Sequence, residues 1–314
     1  MTGPRESFRR FVGVDLGGGR GKNTAVARLE LSVGPSGRPR LGVAEAKVRH
    51  GQRGTGRADE DPGTEAWFRD EALVSYIRRW ADDGTVVAID APLTLPPCIR
   101  CELACPGVAA CEVPVVGWMR RWGSRLASAG GRRDRSKPLV TPYTQRATEL
   151  LTAAAGGKPR ETLGQGSGPL ASRAKYLRQV LSPKLRLHEN LIEVHPRATI
   201  LRRFGDAMDQ RLRSGSDERV WATRKQVLAG LTEGIAFDYV WPELVVRNPH
   251  VFAAVLCAFT GYLWSRARGD VTQCLRQGTG PVASDVLAHA LEDLGDLWLE
   301  DGWIYTPSAA RSSG

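Results

Sequence analysis

Two short apolar runs each end in an aspartate: Phe11-Val12-Gly13-Val14-Asp15 near the start of the chain and Val86-Val87-Ala88-Ile89-Asp90 further along. Runs of this length suit buried strands rather than helices. A carboxylate embedded at such a strand end costs several kcal/mol unless it is paired or bound to a cation. The segments around these runs restrict the topology further. Residues 24–31 partly alternate as a half-buried strand does, residues 34–39 carry the Gly/Pro content of a hairpin turn, and residues 41–48 give a third strand. After a polar, Gly-rich loop at 51–63, Thr64 can cap a helix whose Leu73, Ile77 and Trp80 share one face. Leu191-Ile192-Glu193-Val194-His195-Pro196 reads as a later strand stopped by proline. Helices are expected over 198–204, 217–231, 249–264 (with Asn248 as N-cap and Pro249 at its first position) and 282–298, then a short strand at 303–305.

The order β-β-β-α-β, then an insertion, then β-α predicts an RNase H-like α/β fold. Three antiparallel strands are followed by parallel additions through right-handed crossovers, and helices flank the mixed sheet. A length of 314 residues is near the ceiling for one core. Residues 1–314 are therefore expected to form one domain, with 96–187 an inserted Cys-rich, basic segment inside a stretch (91–187) that reads as irregular. The 42% hydrophobic and 25% charged content excludes a disordered or collagen-like chain. No apolar run reaches the roughly 20 residues of a membrane span, and residues 11–14 are too short for a signal-peptide core. The expectation is a cytoplasmic protein with reduced thiols; oligomeric state is not legible.

Lys and Arg number 44 against 34 Asp and Glu, a net charge of +10. Most of the excess lies between residues 116 and 160, where Arg120, Arg121, Arg125, Arg132, Arg133, Arg135, Lys137, Arg146, Lys158 and Arg160 face only Asp134 and Glu149. That distribution suits a polyanion-binding face and equally a solvated loop. Trp118 and Trp122 in this stretch could stack on bases, but at i, i+4 they also read as the buried stripe of a helix.

Asp15, Asp90 and Glu193 occupy comparable strand positions, with His195 on the same strand face as Glu193. Three such acids on neighbouring strands would repel one another, and Mg²⁺ or Mn²⁺ is the usual remedy; two such ions can activate water against a phosphodiester. The alternative is three unrelated acids pairing with loops or arginines. The glycines after Asp15, Gly17 and Gly18 among them, form neither a Walker loop nor a dinucleotide fingerprint. They would let a phosphate approach, or simply make a tight turn. Cys98, Cys101, Cys105 and Cys111 fall within fourteen residues, open to structural zinc, an iron–sulfur cluster or no metal. Cys257 and Cys274 read as a packed thiol and a loop thiol.

Five blocks carry a resemblance to a known family: Val12-Gly13-Val14-Asp15 with its glycines, Ala88-Ile89-Asp90-Ala91-Pro92-Leu93, Pro142-Tyr143-Thr144-Gln145-Arg146-Ala147-Thr148, Ile192-Glu193-Val194-His195-Pro196, and Val255-Leu256-Cys257-Ala258-Phe259-Thr260. Together they resemble the domain of unknown function 429 family, described as predicted nucleases of RNase H fold, over most of the chain. The resemblance implies the fold more strongly than the chemistry. One departure stands out: where the family pattern places acids at the start of the late helix, this chain has Asn248-Pro249-His250-Val251-Phe252-Ala253. His250 is then the candidate fourth ligand or general base.

The leading expectation is a metal-dependent nuclease acting on nucleic acid. Asp15, Asp90 and Glu193 would be its Mg²⁺ or Mn²⁺ ligands, assisted by His195 or His250. Gly17, Gly18, Arg120, Arg121, Arg132, Arg133 and Arg146 would contact substrate, with the cysteine segment at the rim. A nucleic-acid-binding protein without catalysis is the alternative. An actin-like-fold kinase is a weaker one, because residues 277–281 lack the preceding apolar strand and acid of a second phosphate loop.

Overall fold

The computed structural model describes residues 8–18, 24–34, 37, 39–48, 70–127, 140–231, 235–236, 242–267, 275 and 282–308. Three strands, β1 (Arg10–Asp15), β2 (Ala25–Val33) and β3 (Pro39–Lys47), form an antiparallel meander. Helix α1 (Asp70–Trp80) leads into β4 (Thr85–Asp90), which returns parallel to β1 on its free edge. Then come α2 (Pro97–Arg100), α3 (Pro114–Ala127), α4 (Ala147–Ala154) and α5 (Gly168–Leu181) before β5 (Leu191–Val194), which is parallel to β4. The chain continues through α6 (Pro196–Arg213), α7 (Asp217–Leu231), β6 (Ile235–Ala236), α8 (Pro242–Arg247), α9 (Pro249–Arg266), α10 (Ser284–Leu294), α11 (Trp298–Asp301) and β7 (Ile304–Tyr305). The result is a mixed sheet in the order β6-β3-β2-β1-β4-β5-β7, antiparallel at β1–β3 and parallel beyond.

Strand alternation sorts the sheet's side chains into two layers. Phe11, Ala25, Ala27, Leu29, Val86 and Ala88 pack on one face beneath α9. Val12, Val14, Val26, Val87 and Ile89 pack on the other, under Leu73 and Ile77 of α1 and Ala174 and Leu177 of α5. Helix α9 is apolar nearly all round, as a helix buried on most sides must be. It lies directly on β1, and a Cβ on Gly13 would fall 2.0 Å from the Ala254 carbonyl oxygen. Its start is as expected: the Asn248 side chain accepts hydrogen bonds from the N–H groups of His250 (3.0 Å) and Val251 (3.1 Å), with Pro249 following.

Two expectations change. The described residues of the stretch expected to be irregular contain four α-helices. The basic residues that hid α3 lie on its outer side, while Val115, Val116, Trp118, Met119 and Leu126 turn inward at helical spacing. Trp118 is fully buried and its Nε1 donates to the Ala290 carbonyl at 2.8 Å, so it packs the core rather than offering a face to bases. Helix α6 also runs past Phe204, broken at Gly205, whose φ of +80° only glycine adopts cheaply. The capping role expected of Thr64 lies outside the described residues. Among those residues, no helix is long and apolar enough to cross a membrane.

Candidate active site

Asp15 and Asp90 end adjacent parallel strands and stand opposite each other in register. Both follow the parity of Phe11, Val86 and Ala88, so both turn toward the α9 layer. His250, in the first turn of α9, places Nδ1 2.7 Å from Asp15 Oδ2. His195, just beyond β5, places Nδ1 3.4 Å from Asp90 Oδ1. Each histidine is thus oriented through Nδ1 by one aspartate. The Nε2 of His195 is buried with no hydrogen-bond partner.

Burial pushes the Asp15 carboxyl up; the His250 hydrogen bond opposes that, and the Asp90 charge adds to it. The same hydrogen bond pushes His250 up, against burial. These residues form one wall of a cleft of about 630 Å³ that Lys158, Arg160 and Arg197 also line. Lys158 pairs with Asp206 at 2.9 Å, and Arg197 with Asp209 at 3.0 Å. Arg160 is exposed and has no ion-pair partner among the described residues, and its charge reaches Asp15.

Glu193 does not join the two aspartates. It borders the cleft, but it follows the parity of Leu191, which packs in the α1/α5 layer, and both its oxygens are taken by Arg146. Nη1 of Arg146 donates to Oε2 at 2.7 Å and Nη2 to Oε1 at 2.5 Å, while the Leu93 N–H donates to Oε2 at 3.0 Å. The expected cluster of three carboxylates is therefore a pair. Arg146 also borders the cleft, but it is 1% exposed and bonds Glu149 (2.8 Å), Thr162 (2.7 Å) and Thr94 (2.8 Å) as well. Its environment pushes the guanidinium up, burial notwithstanding, through the charges of Glu193 and Glu149.

The other expected substrate contacts divide as follows. Arg120 donates to the carbonyls of Val108 and Ala109, and Arg121 pairs with Asp293 at 2.8 Å; neither lines the cleft. Arg132 and Arg133 lie outside the described residues. Gly17 and Gly18 do line the cleft. However, the Gly17 N–H is already given to Thr24 Oγ1 at 3.1 Å, and a Cβ on Gly18 would fall 2.9 Å from that of Leu170. Tight packing accounts for Gly18.

Cys98 sits in α2, Cys101 caps it, Cys105 is exposed and Cys111 is buried; none is in a disulfide. The four do not line the cleft. Among the described residues, no three His, Cys, Asp or Glu side chains are gathered into a ready metal site. Cys257 is a packed thiol in α9, as expected; Cys274 lies outside the described residues.

Sequence reasoning missed Arg160 as a distinct cleft residue because it was one cation among ten. Its only local signal was Lys158-Pro159-Arg160 closing the basic run. No curated protein and no solved structure matches the chain. The family model described as protein of unknown function (DUF429) matches residues 13–278, and the chain belongs to that family.

Proposed function

We propose that the chain is an RNase H-like, divalent-cation-dependent phosphodiesterase acting on nucleic acid. One observation carries the reading: Asp15 and Asp90 stand in register on adjacent parallel strands, turned to the same face, at the wall of a cleft that also holds Arg160, which has no ion-pair partner among the described residues. The strand sequence, an antiparallel meander extended by parallel strands on the β1 edge, supports the RNase H-like assignment.

Two adjacent carboxylates are hard oxygen donors whose mutual repulsion a cation relieves, so Asp15 and Asp90 fit Mg²⁺ or Mn²⁺. When bound, such an ion supplies positive charge at the phosphoryl oxygens. Both Glu193 oxygens already accept from Arg146. Each histidine, fixed at Nδ1 by its aspartate, can hold or accept a proton at Nε2, as general base or acid. Arg160 is the cation that would take a substrate phosphate, since Lys158 and Arg197 already have carboxylate partners. The net charge of +10 favours a polyanion, and the free thiols suit a reducing, cytoplasmic setting.

The test is cleavage of single- and double-stranded DNA and RNA with Mg²⁺ or Mn²⁺. Metal-dependent turnover should fall by about 100-fold or more in Asp15→Asn and Asp90→Asn proteins. Turnover retained by the double variant would refute the assignment. The capture of Glu193 by Arg146 favours a second reading, a polyanion-binding protein without turnover; salt-sensitive binding and no cleavage under either ion would select it.

A further inference from the structure

The segment between α2 and α3, residues 101–113, has one turn of 3-10 helix at Val108–Ala110 and is mostly exposed, including Leu103 at 73%. It buries little apolar surface to offset the entropy of holding one path. Its protein anchors are few: Arg120 Nη1 donates to the Val108 and Ala109 carbonyls at 2.9 and 2.6 Å, and the Cys98 N–H to the Pro142 carbonyl at 3.1 Å. Three thiols punctuate this short path, and a fourth, Cys98, lies in α2 just before it. Two stand at the end of α2 and one, Cys111, is buried just before α3. Burial pushes the Cys98 thiol up, and so do the charges of Cys111, Cys105 and Cys101.

We propose that Cys98, Cys101, Cys105 and Cys111 bind one structural zinc ion, separate from the cleft. Four sulfur donors and no oxygen donor select a soft or borderline ion held tetrahedrally. The gaps of two, three and five residues make small loops that enclose a single atom. A multi-iron cluster here would have an exposed ligand in Cys105. Among the described residues the sulfurs are not gathered into a ready site. Binding must draw them together, and Gly107, at φ +87°, is a backbone pivot within the segment. Each thiol that ligates loses its proton to solvent, so four thiols release four protons per ion and affinity rises with pH.

The ion would brace α2, whose Arg100 donates to the buried Asp301 at 2.8 Å. The other oxygen of Asp301 accepts the Ala147 N–H at 2.8 Å, beside the Arg146 that holds Glu193.

The experiment is titration of the full chain, stripped of metal under reducing conditions, with Co²⁺ and then Zn²⁺. One Co²⁺ per chain should bind with the visible absorption of a tetrahedral cobalt–thiolate centre, and Zn²⁺ should displace it. One equivalent of Zn²⁺ should also protect four thiols of the unmutated protein from a thiol reagent, a readout that needs no variant. Cys98→Ser/Cys101→Ser should lose the absorption, whereas Asp15→Asn/Asp90→Asn should keep it, so this result stands apart from the fate of the nuclease reading. Absence of the cobalt–thiolate absorption together with no thiol protection overturns the proposal. So does purified protein that carries iron and acid-labile sulfide at these cysteines.

Discussion

Replacing Arg146 with methionine keeps much of the side-chain volume and removes one charge from a pocket where two carboxylates depend on it. Glu193 loses both its guanidinium hydrogen bonds and keeps only the Leu93 N–H. Glu149 loses one and keeps the N–H and Oγ1 of Thr162. Removing one member of a buried ion pair typically costs about 3–5 kcal/mol, since the partner charge stays buried and unmatched. With about 2.1 cal/mol/K of unfolding entropy per residue, a 314-residue chain would melt about 5–8 °C lower.

The loss should depend on pH in a defined direction. Burial already pushes the Glu149 carboxyl up even with Arg146 present. In the variant the Glu149 carboxyl loses the charge that opposes this rise, so the folded state takes up a proton there first as pH falls. The deficit relative to the parent protein should be largest at pH 7 and shrink toward pH 5. Thermal unfolding followed by circular dichroism at both pH values checks this. The double variant Arg146→Met/Glu193→Gln should recover part of the loss, with a coupling of about 1–3 kcal/mol. A deficit below about 1 kcal/mol, or one equal at both pH values, would show that the pair is not the buried unit described.

Three further outcomes are expected. Gly13→Ala would set a methyl group 2.0 Å from the Ala254 oxygen and 2.4 Å from the Ala258 nitrogen. It should cost about 3 kcal/mol or more, whereas Gly261→Ala, whose nearest neighbours are at 3.4 Å, should be neutral or stabilising by up to about 1 kcal/mol; urea midpoints of the two compare them. His188 is pushed down to about 4 by burial and then by the Arg178 charge, so it is neutral in the fold while the unfolded chain binds a proton below about 6.5. Its share of stability, about 3 kcal/mol at most, is fully present above pH 6.5 and lost as pH falls to 4; a His188→Gln protein should show a correspondingly shallower decline over that window. Trp118→Phe leaves the Ala290 carbonyl without its donor and should lower stability by about 1–3 kcal/mol, read as a shift in urea midpoint without a change in slope.

The sheet was legible because its signals are local. Alternation within Phe11–Asp15 and Val86–Asp90 assigns each residue to a face, and two runs of the same form predict two neighbouring strands. The start of α9 was legible in Asn248-Pro249, and His250 stood out there because the family pattern places acids in that turn. What stayed hidden depends on partners distant in the chain. Arg146 reads as one more surface cation until Glu193, 47 residues later, is seen to need a counter-charge. Parity along Leu191–Val194 already separated Glu193 from Ile192 and Val194, but not from the face of Asp90, since register between strands is not written in either one. Helix α3 was obscured by Gly117 and Gly123, which weaken propensity while the inward stripe persists.

The most direct test is Mn²⁺ binding to the full chain, followed by electron paramagnetic resonance of the free ion. Asp15 and Asp90 acting together as ligands require saturable binding of Mn²⁺ that Mg²⁺ displaces. That affinity should fall by about 10-fold or more in either Asp15→Asn or Asp90→Asn and stay unchanged in Glu193→Gln protein that remains folded. Equal Mn²⁺ affinity in the parent and both aspartate variants would contradict the assignment of this pair as the site of the chemistry.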